Sequence, residues 1–237
     1  MTPQPLPIAE AFTSIQGEGK RTGTPSFFIR LSGCNLRCTW CDTPHASWAP
    51  QKTPRTIESL LAEARASGVR EAVVTGGEPM MFPAITDLTA ALTSSGLAVT
   101  IETAGTIIAP VSCSLMSISP KLANSTPQPN DPRDPEGVWR IRHEARRLNF
   151  PVLQSLIDAH PDRQLKFVVS SPTDLAEIDA ILARLARWAP ADVLIMPEGI
   201  APPPQGSTLW IVKEVIVRNW RYCHRLHLDV FGHRRAT

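Results

Sequence analysis

The sequence predicts an α/β fold, a partial (incomplete) TIM-type barrel of about six parallel strands that is open on one side and carries a C-terminal extension. Three observations predict it. Short apolar runs alternate with amphipathic stretches along the chain, which is the order of elements in a parallel sheet. The strands number about six, fewer than the eight of a complete barrel. The length of 237 residues suits one domain. A doubly wound open sheet is the alternative.

The elements follow in order. An apolar run at 26–31 ends at Gly33 and predicts a buried strand. The stretch 56–67 has apolar residues at helical spacing between Thr56 and Gly68, which can cap its two ends, and it predicts a helix. Further strands are predicted at 71–75, 98–102, 114–118, 165–169 and 193–196, and further helices at 84–95, 144–160 and 175–188. The extension, about 207–237, holds apolar segments at 209–217 and 220–231. Without repeats or linkers, we expect a single domain over 1–237.

Composition excludes some classes of partner. The net charge is only +2 and the basic residues are scattered, so the chain lacks the basic surface that nucleic-acid binding requires. The start, MTPQPLPIAE, has no basic stretch followed by an apolar one, and no window reaches the roughly 18 to 20 apolar residues of a membrane span. We therefore expect a soluble, cytoplasmic protein with no nucleic-acid or membrane partner.

Cysteine usage points to metal or redox chemistry. Cys34, Cys38 and Cys41 fall within eight residues, whereas Cys113 and Cys223 are isolated and are assigned to packing. An odd number of cysteines without a secretory signal argues against a disulfide framework. The three clustered thiols therefore suggest a metal centre.

Two metal centres fit this triplet. His45 lies close in sequence and could complete a Cys3His zinc site. A cubane iron–sulfur cluster usually takes four thiolates, one on each iron. Three cysteines would leave one iron open for an exogenous ligand, which is what a catalytic site needs.

Two motifs resemble those of the radical S-adenosylmethionine (SAM) superfamily. The first is CNLRCTWC at 34–41, with Trp40 directly before the last cysteine. The second is TGGEP at 75–79, which follows a predicted strand as the superfamily's glycine-rich motif does. The resemblance implies a 4Fe–4S cluster on the three cysteines and SAM on the open iron, where electron transfer gives a 5′-deoxyadenosyl radical. It also implies that backbone groups and Glu78 hold the amino group of SAM, with two glycines allowing close approach.

Further segments are similar to the 7-carboxy-7-deazaguanine synthase family over most of the chain. They are IQGEG at 15–19, FIRLSGCNL at 28–36, CDT at 41–43, IETAGT at 101–106, SPKL at 119–122 and HEARRLN at 143–149. The resemblance implies conversion of 6-carboxy-5,6,7,8-tetrahydropterin to 7-carboxy-7-deazaguanine with loss of ammonia, a lyase reaction on the path to queuosine and other deazapurines.

The same resemblance implies roles for individual residues. Arg30 would bind the substrate carboxylate through its planar fork, Glu102 would act near the pterin ring as the catalytic carboxylate, and the Thr43 hydroxyl would bind Mg²⁺. The other implied substrate contacts are Ile15, Gln16, Gly17, Thr75 and Thr237. The implied SAM contacts are Trp40, Gly77, Glu78, Ser119, Pro120, Lys121, Met196, Pro197, Glu198 and Gly199.

Each of these roles has a structural alternative. Arg30 could form an ion pair with an acid elsewhere in the chain, Glu102 could be a helix N-cap or form an ion pair at the end of its strand, and 42–44 could be an ordinary turn. Lys121 could be a surface lysine, and Trp40 could shield a cluster from water.

Partners and rival functions also follow. The resemblance implies a flavodoxin- or ferredoxin-type electron donor, and the few predicted helices suggest a homodimer that covers one side of the barrel. The rival functions are a glycyl-radical-enzyme activase, which shares both motifs, and a non-catalytic zinc or iron–sulfur binding module.

Overall fold

One continuous sheet organises the molecule. The computed structural model describes residues 5–237, and this part of the chain forms nine strands. They are β1 (Leu6–Ile15), β2 (Pro25–Leu31), β3 (Thr53–Arg55), β4 (Glu71–Gly76), β5 (Ala98–Thr103), β6 (Leu115–Ile118), β7 (Arg163–Val169), β8 (Val193–Pro197) and β9 (Arg221–Tyr222).

The sheet is mostly parallel and open. Its strand order is β3-β1-β2-β4-β5-β6-β7-β8-β9. From β2 to β9 every neighbouring pair is parallel, and β1 pairs antiparallel with both β2 and β3. Since β3 and β9 are edges that do not pair with each other in the described chain, the barrel is incomplete. The predicted partial barrel of about six parallel strands is confirmed, with the two-residue β9 as a short seventh.

The described chain contains the helices α1 (Ile57–Ala66), α2 (Ile85–Ser94), α3 (Val138–Arg146), α4 (Phe150–Ala159), α5 (Asp174–Leu182), α6 (Leu209–Arg218) and α7 (Leu226–Phe231). Five of them cover one face of the sheet and build the core there, whereas α3 packs on the loop 34–41 and α7 lies at the opposite face. The main core joins apolar residues of the strands to those of α1, α2, α4, α5 and α6. Among the described residues, no helix has both the length and the apolar character needed to cross a membrane.

The alternation of side chains along each strand separates this core from the inside of the barrel. In β2, Phe27, Ile29 and Leu31 belong to the core beneath the helices, whereas Phe28 and Arg30 point to the opposite face. The same division holds in β7, with Leu165, Phe167 and Val169 in the core and Lys166 and Val168 opposite. Polar residues therefore collect on the concave face of the sheet, and the core under the helices is formed by apolar residues.

Two predicted helices have different bounds in the structure. The segment predicted as one helix at 144–160 forms two, because Asn149 starts a new helix: its Oδ1 accepts a hydrogen bond from Val152 N (3.4 Å). Pro151 lies in the first turn of that helix, where its missing N–H costs nothing. The helix predicted at 175–188 ends at Leu182, and Arg187 has a positive φ of 60° that no helix contains.

The N-terminal strand was not predicted. In β1 the sequence LPIAEAFTSI mixes apolar with small and polar residues, so it lacks a clear apolar run. It becomes a strand because β2 pairs with it over most of its length, and this pairing is a long-range property. The segment at 220–231, predicted only as apolar, forms β9 and α7.

Candidate active site

A cavity of about 410 Å³ opens at the carboxyl ends of the parallel strands. Its volume lies in the range of small-molecule and cofactor sites. The inward-facing strand residues form its floor, and the loops that follow the strands form its walls. The floor residues are Phe28, Arg30, Thr75, Glu102, Ser117, Lys166, Val168 and Met196.

The three clustered cysteines line this cavity from the loop 34–41, which follows β2. The Sγ atom of Cys41 lies 3.1 Å from Ser47 Oγ and 3.8 Å from Thr43 Oγ1. Burial raises the pKa of the Cys34 thiol to about 12 and also raises the pKa of Cys38. Thiolates at these positions therefore need a cationic metal to balance their charge, which is the chemistry of an iron–sulfur ligand set.

The arrangement of these thiols favours a cluster over a single ion. Among the described residues, no three His, Cys, Asp or Glu side chains converge to hold one metal ion. In a cubane each thiolate binds a different iron, so the three sulfur atoms need not converge on one point. His45, the candidate fourth zinc ligand, lies instead beside Glu10, with Nε2 3.2 Å from Oε2. The residues therefore fit a cluster with one open iron, and they do not fit the Cys3His zinc site.

The glycine-rich turn after β4 packs directly on the cluster loop. Gly77 N donates to Leu31 O (3.0 Å), and Glu78 N donates to Gly33 O (2.9 Å). A Cβ atom on Gly77 would lie 2.0 Å from Gly33 O and 2.8 Å from Ala46 O, so only glycine fits there. The turn thus brings bare backbone to the cavity wall beside the cysteines.

Glu78 is the acid of the glycine-rich turn, and hydrogen bonds fix its side chain. It is fully buried outside the cavity. Its carboxylate accepts hydrogen bonds from Thr103 Oγ1 (2.9 and 3.0 Å), Ala104 N (2.9 Å) and Met80 N (3.2 Å). Burial raises its pKa. These hydrogen bonds tie the turn to the end of β5.

A hydrogen-bonded carboxylate stands at the centre of the cavity floor. Glu102 Oε1 accepts from Gln16 Nε2 (3.2 Å), and Glu102 Oε2 accepts from Thr75 Oγ1 (2.8 Å). Gln16 is buried and its Oε1 accepts from Glu18 N (3.2 Å), which fixes the orientation of its amide. The three side chains come from β4, β5 and the loop after β1, and together they offer donors and acceptors to a heterocycle edge.

Arg30 is held from one side. Its Nε donates to Glu10 Oε2 (3.0 Å), while Arg235 Nε donates to Glu10 Oε1 (2.9 Å). Burial opposes the charge of Glu10, but Arg235, Arg30 and His45 outweigh it and lower its pKa. Within residues 5–237 the two terminal amino groups of Arg30 have no hydrogen-bond partner, and the side chain lines the cavity. Arg30 therefore forms an ion pair through Nε and keeps its two terminal amino groups free for a ligand.

A second buried ion group lies across the floor. Lys166 Nζ pairs with Glu18 Oε2, and Arg225 Nε lies 3.3 Å from Glu18 Oε1. Burial alone would raise the pKa of Glu18, but the two cations lower it to about 2. Burial alone would lower the pKa of Lys166, but Glu18 and Glu102 outweigh it and raise that pKa. Lys166 is thus a fixed positive charge inside the barrel.

The opposite wall combines a lysine, an aromatic ring and a thioether. Lys121 Nζ donates to Ser119 O (2.7 Å) and Ser119 Oγ (2.8 Å) and lies 5.9 Å from the centre of the Trp40 ring. Burial lowers its pKa, and because it lines the cavity it is not a surface lysine. Met196 packs with Val168 in a small apolar cluster against which Trp40 rests.

The chain is similar in sequence to proteins of known family. The sequence pattern described as "Radical SAM superfamily" matches residues 28–166. The chain is 46% identical to the 7-carboxy-7-deazaguanine synthase of Rhodopirellula baltica, covering 98% of this chain and 89% of that protein. It is 40% identical to the synthase of the same name from Halobacterium salinarum, with coverages of 96% and 91%.

The chain belongs to the 7-carboxy-7-deazaguanine synthase family. The crystal structure of QueE from Escherichia coli agrees with it in fold, with a TM-score of 0.70, 27% sequence identity and 94% of each chain covered. Membership of the radical SAM superfamily implies a 4Fe–4S cluster and SAM. The synthase family therefore accounts for the cysteines and for the glycine-rich turn.

Most residues that the sequence singled out line the one cavity. The exceptions are Glu78, Pro120, Pro197 and Glu198, although Pro120 and the pair 197–198 directly adjoin lining residues. The sequence reasoning missed Glu10, Glu18 and Lys166, and it left Arg225 and His227 without a role. All five line the cavity. For Lys166 the signal was a lysine within an apolar strand, but Glu10 had none because β1 was not recognised.

The contact of Gly77 with the cluster loop gives a testable prediction for the synthase fold. Gly77→Ala places a methyl group against two backbone oxygens, so we expect the free energy of unfolding to fall by about 1–3 kcal/mol. Gly96→Ala is the matched control. An alanine at a φ of +87° costs about 1–2 kcal/mol of backbone strain, but its Cβ atom would contact nothing within 4 Å. After anaerobic reconstitution, iron and sulfide content should fall in Gly77→Ala alone. Equal iron in both variants would contradict the close packing of turn and loop.

Proposed function

We propose that this protein converts 6-carboxy-5,6,7,8-tetrahydropterin to 7-carboxy-7-deazaguanine with loss of ammonia, as a carbon–nitrogen lyase in deazapurine biosynthesis. The observation that carries the proposal is the shared cavity. Three cysteines, a half-satisfied arginine and a hydrogen-bonded carboxylate face one space of a suitable size for a cofactor and a substrate. The names of the relatives support the same reaction.

The charge of the cavity suits anionic groups on both ligands. Six basic residues and four acidic residues line it, an excess of two positive charges. The basic residues are Arg30, Lys121, Lys166, Arg225, Arg234 and Arg235, and the acidic ones are Glu10, Glu18, Asp42 and Glu102. The carboxylates of the substrate and of SAM would each meet positive charge there.

The cofactor side of the cavity follows from the loop 34–41 and the turn after β4. When bound, the cluster and SAM supply the electron and the radical that start the reaction. Cys34, Cys38 and Cys41 would hold three irons, and the bare backbone at Gly76 and Gly77 would admit the amino-acid end of SAM. Trp40, Ser119, Lys121, Met196 and Gly199 line the adjoining wall and would contact the rest of that cofactor.

The substrate side is the floor of the barrel. Glu10 fixes Arg30 through Nε, so the terminal amino groups of Arg30 stay free for a bidentate bond to the substrate carboxylate. Gln16 and Glu102 would read the donors and acceptors of the pterin ring. Glu102 already accepts from two neutral donors, so it would act as a fixed acceptor for ring N–H groups and could take up a proton at Oε1 or Oε2.

Mg²⁺ is a further part of the proposal. Thr43 and Asp42 line the cavity next to the last cysteine and offer oxygen atoms. Mg²⁺ usually takes one or two protein oxygens and completes its shell with water and substrate oxygens. We assign Thr43 as its protein ligand.

We also propose that the chain forms a homodimer through α6. This helix exposes a stripe of apolar side chains, with Ile216 72% and Val217 83% exposed, next to Leu209 and Val212. A contiguous exposed apolar patch of this kind marks an interface, and a self-complementary contact gives a twofold dimer. A monomeric mass in analytical ultracentrifugation at micromolar concentration would contradict this.

Product analysis tests the reaction. The reconstituted protein is incubated anaerobically with reductant, SAM, Mg²⁺ and 6-carboxytetrahydropterin, and the products are identified by mass spectrometry. We expect 7-carboxy-7-deazaguanine and ammonia in equal amounts. If only 5′-deoxyadenosine and methionine form, the cofactor assignment holds but the substrate is wrong, and the glycyl-radical activase becomes the better hypothesis. Bound zinc without iron would instead favour the non-catalytic module.

Arg30 and Glu10 give a graded prediction. Arg30→Ala should abolish pterin turnover, yet leave SAM cleavage without substrate unchanged, because the side chain is assigned to substrate alone. Glu10→Gln leaves the Arg30 guanidinium in place but removes the charge that pairs with its Nε. We therefore expect KM for the pterin to rise about tenfold, roughly 1.4 kcal/mol, with kcat little changed. Steady-state kinetics measures both. Unchanged turnover in Arg30→Ala would refute the carboxylate assignment.

The Mg²⁺ ligand is tested by metal titration. Thr43→Ala removes the hydroxyl oxygen, so half-maximal turnover should need about tenfold more Mg²⁺ or more. Thr43→Ser retains the oxygen and is the matched control. If Thr43→Ala shows the same Mg²⁺ dependence as the wild type, the metal binds elsewhere.

A further inference from the structure

The outer side of the cluster loop is covered by arginine and tryptophan side chains. Five backbone carbonyls of the loop 34–41 accept hydrogen bonds from such donors. Arg37 Nη1 donates to Cys34 O and Leu36 O (2.7 Å each), Trp48 Nε1 to Cys38 O (2.9 Å), Arg133 Nη2 to Thr39 O (3.0 Å) and Arg146 Nη1 to Asn35 O (3.5 Å). The loop therefore has the cavity on one side and a cationic cover on the other.

The helix α3 is bonded to this loop. Its buried His143 accepts a hydrogen bond at Nδ1 from Arg37 N (3.1 Å). The Trp139 ring contacts two guanidinium groups, with the Cζ atoms of Arg37 and Arg142 3.8 and 5.4 Å from its centre. A continuous series of contacts thus runs from Arg142 at the surface through Trp139 and Arg37 to the carbonyl of Cys34.

The outer face of α3 is basic with an apolar centre. The segment 138–147, VWRIRHEARR, holds four arginines and one glutamate in a chain whose net charge is only +2. Ile141 is 71% exposed, and Val138 is exposed beside it. Within residues 5–237 neither Arg142 nor Arg146 has a carboxylate at salt-bridge distance. We call this surface the α3 patch, and it comprises Arg133, Val138, Trp139, Ile141, Arg142 and Arg146.

We propose that the α3 patch is the docking surface for an acidic one-electron carrier protein of the flavodoxin type. The inference rests on the proposed function only in that a reducible cluster must sit on the cysteines. Unpaired arginines attract an acidic partner and orient it, and the exposed isoleucine gives an apolar anchor at the centre of the contact. The patch lies over the cluster loop, so a carrier docked there would be separated from the cluster by α3 and that loop.

The electron transfer at this surface balances simply. The reduced carrier loses one electron and the oxidised cluster gains it. No bond between heavy atoms forms or breaks, and this chain moves no proton. The arginines that cover the loop also place positive charge beside the cluster, which favours its reduced form.

The test measures carrier binding and cluster reduction without any pterin. The reconstituted full-length protein is titrated with oxidised flavodoxin to give Kd, and is mixed anaerobically with reduced flavodoxin while the cluster absorbance is followed. In Arg142→Glu/Arg146→Glu we expect Kd to rise at least about tenfold, with a matching slowing of reduction. The wild-type Kd should also rise with ionic strength. Reduction of the same variant by dithionite should remain unchanged.

The matched control is Arg65→Glu/Arg70→Glu. Both arginines are exposed and lie in α1 and the segment before β4, away from the cluster loop, and the charge change is the same. We expect its Kd to stay close to the wild-type value. An equal loss in this control would show that only bulk charge matters, and would overturn the proposal.

A second variant separates docking from loop damage. Ile141→Ser keeps every charge and alters an exposed side chain, so folding should be unaffected, whereas carrier binding should weaken several-fold, as expected for about 1 kcal/mol of lost apolar contact. Loss of dithionite reduction to the same degree as flavodoxin reduction, or unchanged Kd in both patch variants, would refute the docking surface. Because pterin is absent, a wrong substrate assignment changes none of these results.

Discussion

The two-residue period of the strands is the constraint on which the rest of the structure depends. Alternate residues of β2, β4, β5, β7 and β8 fill the core under the helices, and the residues between them form the floor of the cavity. A slip of one residue in β2 would move Arg30 into the core and Ile29 into the cavity. The apolar set that stabilises the fold thus also fixes the register of the polar set that forms the site.

Charge inside the barrel is tolerable because it is paired from several strands at once. Glu10 lies between Arg30 and Arg235, and Glu18 lies between Lys166 and Arg225. In each group one carboxylate serves two cations, so positive charge remains in excess next to the ligands. Buried ion groups of this kind add little to stability, but they hold their members in fixed orientation. An anion that enters the cavity would meet groups that are already in position.

The cluster loop is held from both sides by contacts that its own sequence does not contain. On the cavity side, Gly77 comes so close that no other residue would fit, and on the outer side the carbonyls accept bonds from Trp48, Arg133 and Arg146. Burial lowers the pKa of His143 to about 4, so this histidine is neutral at physiological pH and serves as an acceptor for the loop. These contacts come from segments up to about a hundred residues away in sequence.

The sequence by itself determined the parallel partial barrel, the cysteine triplet, the glycine-rich turn and the family. Apolar periodicity and short motifs are local, and each could be recognised without knowing what lies beside it. Only the tertiary structure decided that 144–160 breaks at Asn149, that Glu78 faces the end of β5, and that Glu10 anchors Arg30. These depend on which strands pair and on which donors reach a buried carboxylate. Lys121 shows this difference between local and long-range information. Its motif could be recognised in the sequence, but its burial beside Trp40 could not.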